Sequence, residues 1–426
     1  MQVIAKKLID AAPGGSYNIS KVYTQNEGLE CKEIKSLYCE NDFLNGREFR
    51  YSKDNGRTWG EWQKAENPTS TIMYGDDEVG FAETPRKWNP VHKHYVSVYW
   101  TRYYVNGHEE AYEKFWKHGE CALYDHQYIR VSEKAEGDFL TTDLIKYEDG
   151  ADFDPKNPRN PEFLEKNRGY INEPSIMECG DIIVPVGVPV DVGCKMAGLD
   201  VNRVFPNCAN IFRCVVVARG KFDKETGKYN FTFSNPIILN SLRSSRGMDE
   251  PIVVELKSSR ILLVTRGSNV QNAAWKTRIE EGTPSFKWFA FSDDGGKTFT
   301  EAEPWRFNDR EVIYSAATIS LFARSTKNGK LYWIGNIAPH TAYGNYPRYP
   351  LYIAEVDDKL GILKKETLTV IDTKREGEAN EVQLSNFSFI EDRETLNFEI
   401  CLDKIQQYDK NRPYFGETWK YEIVLD

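Results

Sequence analysis

An all-β fold is predicted from three observations. Two stretches share an uncommon pattern: Ser52-Lys53-Asp54-Asn55-Gly56-Arg57-Thr58-Trp59 and Ser292-Asp293-Asp294-Gly295-Gly296-Lys297-Thr298-Phe299 both read S-x-D-x-G-x-T-aromatic. Each follows an alternating aromatic run, Glu48 to Tyr51 and Lys287 to Phe291, so each reads as a strand, a tight turn and the start of another strand. The Asp side chain can accept hydrogen bonds from turn amides, and Gly supplies positive φ. Strand-like runs recur along the whole chain in groups separated by turn signals such as Lys327-Asn328-Gly329-Lys330. Aromatic residues reach 13%, with 24 Tyr and 10 Trp; strands favour them, and sugar sites use them for stacking.

In chain order, the first group ends in the first hairpin near residue 60, and the second runs from about Tyr95 to Val131. The third covers Ser175 to Phe233, the fourth Pro251 to Phe299, the fifth Ala316 to Ile371 and the last Gln383 to Leu425. Six groups in 426 residues average about 71 each, more than a bare four-stranded unit needs, so long loops are expected. Asp54 and Asp294 lie 240 residues apart, which puts the two hairpins in groups one and four. The last group holds three strand-like runs, 383–390, 395–402 and 418–425, and the segment near Gln2 to Leu8 is expected to supply a fourth. The chain reads as a single domain, 1–426, with an insertion at about 135–170 centred on the polar stretch Tyr147 to Arg168.

Composition narrows the function. Net charge is −9 with no basic stripe, which argues against a nucleic-acid partner. No run of 18 apolar residues is present, so no membrane span is expected. Met1 to Asp10 lacks the long apolar core of a signal peptide; location stays open. Eight cysteines are spread thinly without a C-x-x-C, which disfavours zinc and favours scattered thiols. Pairs Cys31/Cys39 and Cys208/Cys214 stay open. His92 and His94 share one strand face but match no metal motif. No cofactor motif occurs: no G-x-G-x-x-G after a strand, no P-loop, no EF-hand loop.

A second repeat carries candidate chemistry. Asn172-Glu173-Pro174-Ser175-Ile176-Met177-Glu178 and Asp249-Glu250-Pro251-Ile252-Val253-Val254-Glu255 both read (N/D)-E-P-x-φ-φ-E, with φ apolar. Glu173 and Glu250 are 77 residues apart, about one group with its loops. Arg266 follows Glu250 by sixteen residues. Up one strand, around a turn and back brings both to one rim. Pro189 stands at the matching distance from Glu173 and cannot act as a cationic clamp. Arg246 lies on the loop before Glu250, and His340 follows Ala338-Pro339.

The first repeat resembles the Asp-box, or BNR repeat, of sialidase-type propellers. That resemblance implies a six-bladed β-propeller with four-stranded antiparallel blades. The stretch Glu250 to Arg266 resembles the catalytic blade of the sialidase superfamily, where the Glu tunes a nucleophilic Tyr and the Arg joins a triad that clamps the substrate carboxylate. Arg348, in Tyr346-Pro347-Arg348-Tyr349-Pro350-Leu351, resembles a further triad member. An Arg-Ile-Pro tripeptide is missing, Leu384 stands where the nucleophilic Tyr is expected, and only Asp76 and Asp77 suggest themselves as a general acid. Glu173 and Glu250 also resemble the Glu pair of propellers that release arabinose oligomers.

The expected function is therefore a sialidase-like glycoside hydrolase that takes a terminal sugar from a glycan or oligosaccharide; an arginine clamp would favour an acidic one. Glu250 and Glu173 are the expected catalytic residues; Arg266, Arg348, Arg246 and His340 are the expected substrate contacts. No metal or cofactor is expected. Two alternatives are a non-catalytic glycan- or protein-binding propeller and a polysaccharide lyase using Tyr343, Tyr346 or His340.

Overall fold

The computed structural model describes residues 1–40, 43–66, 69–170 and 172–426. Two compact units divide the chain: Met1–Ser70 with Arg306–Asp426, and Thr71–Trp305. Among the described residues each unit holds three antiparallel sheets.

In the first unit, one sheet joins Ser16–Tyr23, Cys31–Glu40, Phe43–Ser52 and Gln63–Lys64. Another joins Ser320–Arg324, Leu331–Asn336, Leu351–Val356 and Thr369–Asp372. A third joins Gln383–Glu391, Phe398–Ile405 and Thr418–Val424, and Gln2–Ile9 pairs antiparallel with its last strand. The N-terminal segment thus supplies the expected fourth strand.

In the second unit, Ser175–Ile176, Ile182–Pro189, Arg213–Asp223 and Lys228–Phe233 form one sheet; Asp249–Glu255, Ile261–Arg266, Lys287–Ser292 and Glu303–Pro304 form the next. The remaining sheet departs from expectation. It has six strands, because Thr71–Tyr74, Asp77–Glu83 and Lys87–Asn89 join His94–Tyr104, Leu123–Ser132 and Thr141–Leu144. The first two make a hairpin whose turn is Gly75 (φ 65°) and Asp76. Thr141–Leu144 lies inside the span assigned to the insertion, so the non-strand part begins after residue 144 and carries a short helix, Pro161–Glu165. Among the described residues no helix is long and apolar enough to cross a membrane.

The two S-x-D-x-G-x-T hairpins close alike. Ser52 and Ser292 Oγ each meet an Asp Oδ1, of Asp54 and Asp294, at 2.8 Å. Gly56 and Gly296 N–H donate back to the same Ser oxygens at 2.8 and 2.9 Å. Thr58 and Thr298 donate twice to the Asp, through N–H and hydroxyl. Phe299 is buried in the core and Trp59 is half-buried under Arg50. The hairpins fall in the first and fourth sheets, as their spacing predicts.

Ile182–Pro189 reads as an unbroken apolar run, Ile261–Arg266 opens with four apolar residues before Thr265 and Arg266, and both strands are buried along their whole length. In the second unit Ile183, Val215, Val217, Ile261, Leu263 and Trp288 share one core. Each fully buried aliphatic side chain there contributes roughly 1.5–3 kcal/mol. That stability is what lets the strand ends hold charged side chains in place. Cys208 and Cys214 are free thiols, as is Cys31; the side chain of Cys39 lies outside the described residues.

Candidate active site

Three sheets of the second unit each bring a charged row to their strand ends. Arg102 and Asp125 face each other across the six-stranded sheet. In the next sheet Arg213 stands opposite Pro189. In the last, Asp249 stands opposite Arg266. The position sixteen residues after Glu173 is thus a proline, but its cross-strand neighbour supplies the guanidinium.

These rows interlock. Arg102 grips Asp125 with two hydrogen bonds, of 2.6 and 3.0 Å. Arg213 bonds the same carboxylate and reaches Asp249 at 3.5 Å. Arg266 meets Asp249 at 3.2 Å and Glu250 at 3.0 Å. Arg246 lies 3.9 Å from Asp249. All seven side chains are at most 18% exposed, so the charges interact through a weakly screening medium.

The local backbone sets this geometry. The pairing register shifts between Asp249 and Ile252, and Glu250 takes φ 46°, left-handed for a side-chain-bearing residue. Such conformations cost on the order of 1–3 kcal/mol and persist only where surroundings impose them. Here the shift turns two consecutive carboxylates toward one arginine. Gly247 (φ 71°) lets the preceding loop lie against Arg213: a Cβ there would fall 2.1 Å from the Arg213 carbonyl oxygen. Met248 N–H donates to that oxygen at 2.7 Å, which anchors Arg246 beside the cluster.

Burial would raise the pKa of Asp249, but Arg213, Arg266 and Arg246 outweigh it and hold the carboxyl at about 2. Asp125 is likewise held below the usual range, by Arg102 and Arg213 against burial. Burial and neighbouring cations lower Arg246 to about 10, still protonated at neutral pH.

Tyr170 lies within the cluster. Its ring centroid is 4.5 Å from the Arg213 guanidinium and 5.4 Å from that of Arg102. Burial, then the charge of Glu250, raises its pKa. Among the described residues its hydroxyl takes no hydrogen bond, while its ring packs edge-on against Trp100. A narrow recess of about 20 Å³, room for one water, adjoins the cluster, lined by Asp125, Arg168, Asn210, Phe212 and Arg213 among others.

Glu250, Arg266 and Arg246 are therefore brought together. Glu173 is exposed and its carboxylate pairs with Lys87 at 2.8 Å. Arg348 and His340 belong to the other unit. Arg348 donates to the carbonyls of Asn345 and Ala317 and to Gln383; exposed His340 meets the Thr341 carbonyl. Leu384 is fully buried. Asp77 is spent on Tyr103, Arg159 and Asn106, which ties down the segment that carries Arg159. Buried His94 bonds Tyr229 at 2.8 Å. Among the described residues no group of three His, Cys, Asp or Glu could hold a metal.

Sequence reasoning missed Arg102, Asp125, Tyr170 and Arg213. Asp249 stood in the repeated motif itself, as the acid before Glu250, and that was the available signal.

No family model matches the sequence, and no curated protein matches it. Among solved structures the chain is similar to a protein of unknown function from Dyadobacter fermentans: 12% identity, 98% of this chain and 99% of that one, TM-score 0.53. It is also similar to Trypanosoma rangeli sialidase in complex with the inhibitor DANA: 10% identity, 99% of this chain, TM-score 0.54. The chain spans 60% of that sialidase's length. At such identities the shared property is the fold, and the fold is a six-bladed β-propeller of antiparallel blades, as the sequence resemblance implied.

Proposed function

We propose that this chain is a glycoside hydrolase of sialidase-like type that removes a terminal, acidic sugar from a glycan. The observation that carries the reading is charge. Four arginines (102, 213, 246, 266) meet three carboxylates (Asp125, Asp249, Glu250), so four minus three leaves one cation over. Arg246 is the loosest of the four, and its Nε has no hydrogen-bond partner among the described residues. A poorly compensated, part-buried guanidinium favours an anionic ligand, and its fork matches a carboxylate. A sialic or uronic acid supplies one.

In this reading Arg246 and Arg266 bind the sugar's carboxylate, and Asp249 stays ionised to hold them. Glycoside hydrolysis needs one group to move a proton at the leaving oxygen and another to support the anomeric carbon. Tyr170 supports the anomeric carbon: its phenol oxygen bonds that carbon as the glycosidic bond breaks, Glu250 takes the phenolic proton and passes it to the departing oxygen, and a water then displaces the tyrosyl oxygen, giving the free sugar and restoring the phenol. Glu173 enters only through a two-carboxylate route, and its solvent-facing pair with Lys87 gives that route less support. The fold shared with a sialidase agrees with this assignment.

The test is product release from sialylated, uronic-acid, rhamnosyl and arabinosyl glycosides by wild type, Glu250→Gln, Tyr170→Phe and Glu173→Gln. The expected outcome is hydrolysis of an acidic glycoside, lost by at least a hundredfold in the first two variants and kept in the third. Wild-type rates in folded Glu250→Gln would sink the assignment. An unsaturated product, seen by its absorbance, would make the enzyme a lyase. Binding without turnover would make it a glycan-binding propeller.

A further inference from the structure

Beside the charged cluster stands an aromatic shelf. The connection between His94–Tyr104 and Leu123–Ser132 carries a short helix, His108–Glu113, that runs into a π-helical turn, Lys114–His118. Such turns are rare and frequent at functional sites. This one splits two neighbouring aromatics: Phe115 is buried, while Trp116 is 42% exposed.

Trp116 is exposed yet fixed. Its ring lies 5.0 Å from that of Trp275, which is buried and donates its indole N–H to the Phe115 carbonyl at 2.8 Å. Asn272 donates to the Trp116 carbonyl at 3.2 Å. Gly119 (φ 69°) ends the turn so tightly that a Cβ would lie 2.9 Å from the Ala274 carbonyl oxygen. A single exposed apolar residue usually needs no explanation. An indole packed against Phe115 and Trp275 on a hydrogen-bonded backbone is preorganised, which lowers the entropic cost of binding against it.

Its neighbour decides what it would bind. The Arg246 guanidinium lies 5.5 Å from the Trp116 ring and 5.9 Å from that of Trp275, and the same guanidinium reaches toward Asp249. One arginine therefore joins the indole to the carboxylate cluster, with its Nε–H unused. An apolar plate beside an anion site and a spare donor fits a chain of sugar rings. The acidic ring sits on the arginines, and the C–H face of the next ring lies on the indole.

We propose that Trp116 is the stacking platform for the second sugar of an acidic oligosaccharide, so that the site takes a chain of at least two rings. This rests on the glycan-binding reading of the same cluster. Binding is measured by calorimetry on the full chain with four probes: N-acetylneuraminic acid, D-glucuronic acid, 3′-sialyllactose and neutral lactose. Wild type, Trp116→Ala and Trp116→Phe are compared, with unfolding midpoints as the check on folding.

The expected result is that 3′-sialyllactose binds more tightly than either monosaccharide. Trp116→Ala should weaken it about tenfold, the worth of one aromatic stacking contact, and leave the bound monosaccharide's affinity unchanged. Trp116→Phe should restore most of the loss. Equal affinity of wild type and Trp116→Ala for 3′-sialyllactose would overturn the platform and leave the acidic site standing. Trp116-dependent binding of lactose with no monosaccharide bound would keep the platform and overturn the acidic reading. No binding of any probe by wild type would overturn both.

Discussion

Asp249 lies directly across the strand pair from Arg266, and its Oδ2 accepts a hydrogen bond from that guanidinium at 3.2 Å. Because Arg213 and Arg246 approach the same carboxylate, Asp249 is the point where three arginines share one anion. Replacing it with Asn keeps the shape and removes the charge. Breaking a buried ion pair by removing one partner costs about 3–5 kcal/mol. Asp249→Asn should lose that much at pH 7 in urea unfolding. The pH profile should change as well. An unfolded carboxyl titrates near roughly pH 3.9, and the folded one at about 2. The native state thus gains stability that is full above about pH 4 and lost as pH falls toward 2. The variant should show a flatter acid limb over that window. An unchanged limb would mean that Asp249 is not held ionised by its neighbours.

How far the sequence reached can be read at particular residues. Asp54 and Asp294 were legible because one short pattern encodes a whole hairpin, with Ser, Gly and Thr each bonding the same turn. Glu250 and Arg266 were legible because an antiparallel pair turns a spacing of sixteen into adjacency. Arg102, Asp125 and Arg213 were not legible. Each is one polar residue at the end of a strand, and only the pairing of distant strands makes them neighbours. Arg213 is the sharpest case: the motif's own spacing points to Pro189, and the cation stands one strand over. The hairpin around Gly75 was missed because its two aspartates read as candidate acids, whereas Asp77 anchors the loop above it through Arg159.

A second prediction concerns His126, which is fully buried and meets the Phe163 carbonyl through Nε2 at 2.8 Å, with its ring stacked on Phe163. Burial lowers its pKa to about 4, against the opposing pull of the Phe163 carbonyl and Asp125. An unfolded histidine titrates near roughly 6.5. Between those values the unfolded chain binds the proton and the native protein does not, so stability falls as pH falls from about 6.5 to 4. The loss from this residue between pH 7 and 5 should be about 2 kcal/mol. His126→Gln keeps an N–H for the carbonyl and cannot titrate, so it should reduce the difference in unfolding free energy between those pH values, read from urea titrations, by that amount. His94, also lowered to about 4 by burial, should leave a residual slope. A slope unchanged by His126→Gln would show that His126 is accessible to protons in the native state.

The third prediction lies in the other unit, at Lys404. Its side chain is completely buried and pairs with Glu378 at 2.7 Å and Asp372 at 3.1 Å. Gln407 also donates to Glu378, and the Tyr421 hydroxyl to Asp372. Every charged member has a partner, so the network is satisfied as it stands. Lys404→Met keeps the length of the side chain and removes the cation. Two carboxylates then remain buried with only neutral donors and Arg375, which reaches Asp372 at 3.3 Å. The expected cost is about 3–5 kcal/mol at pH 7. The triple variant Lys404→Met, Glu378→Gln, Asp372→Asn should regain most of the loss, since a buried charge without its partner costs more than an uncharged hydrogen-bonded group. Denaturant titrations of the wild type, the single variant and the triple variant at pH 7 decide it. A single variant as stable as wild type at pH 7 would mean that water, and not Lys404, compensates the carboxylates.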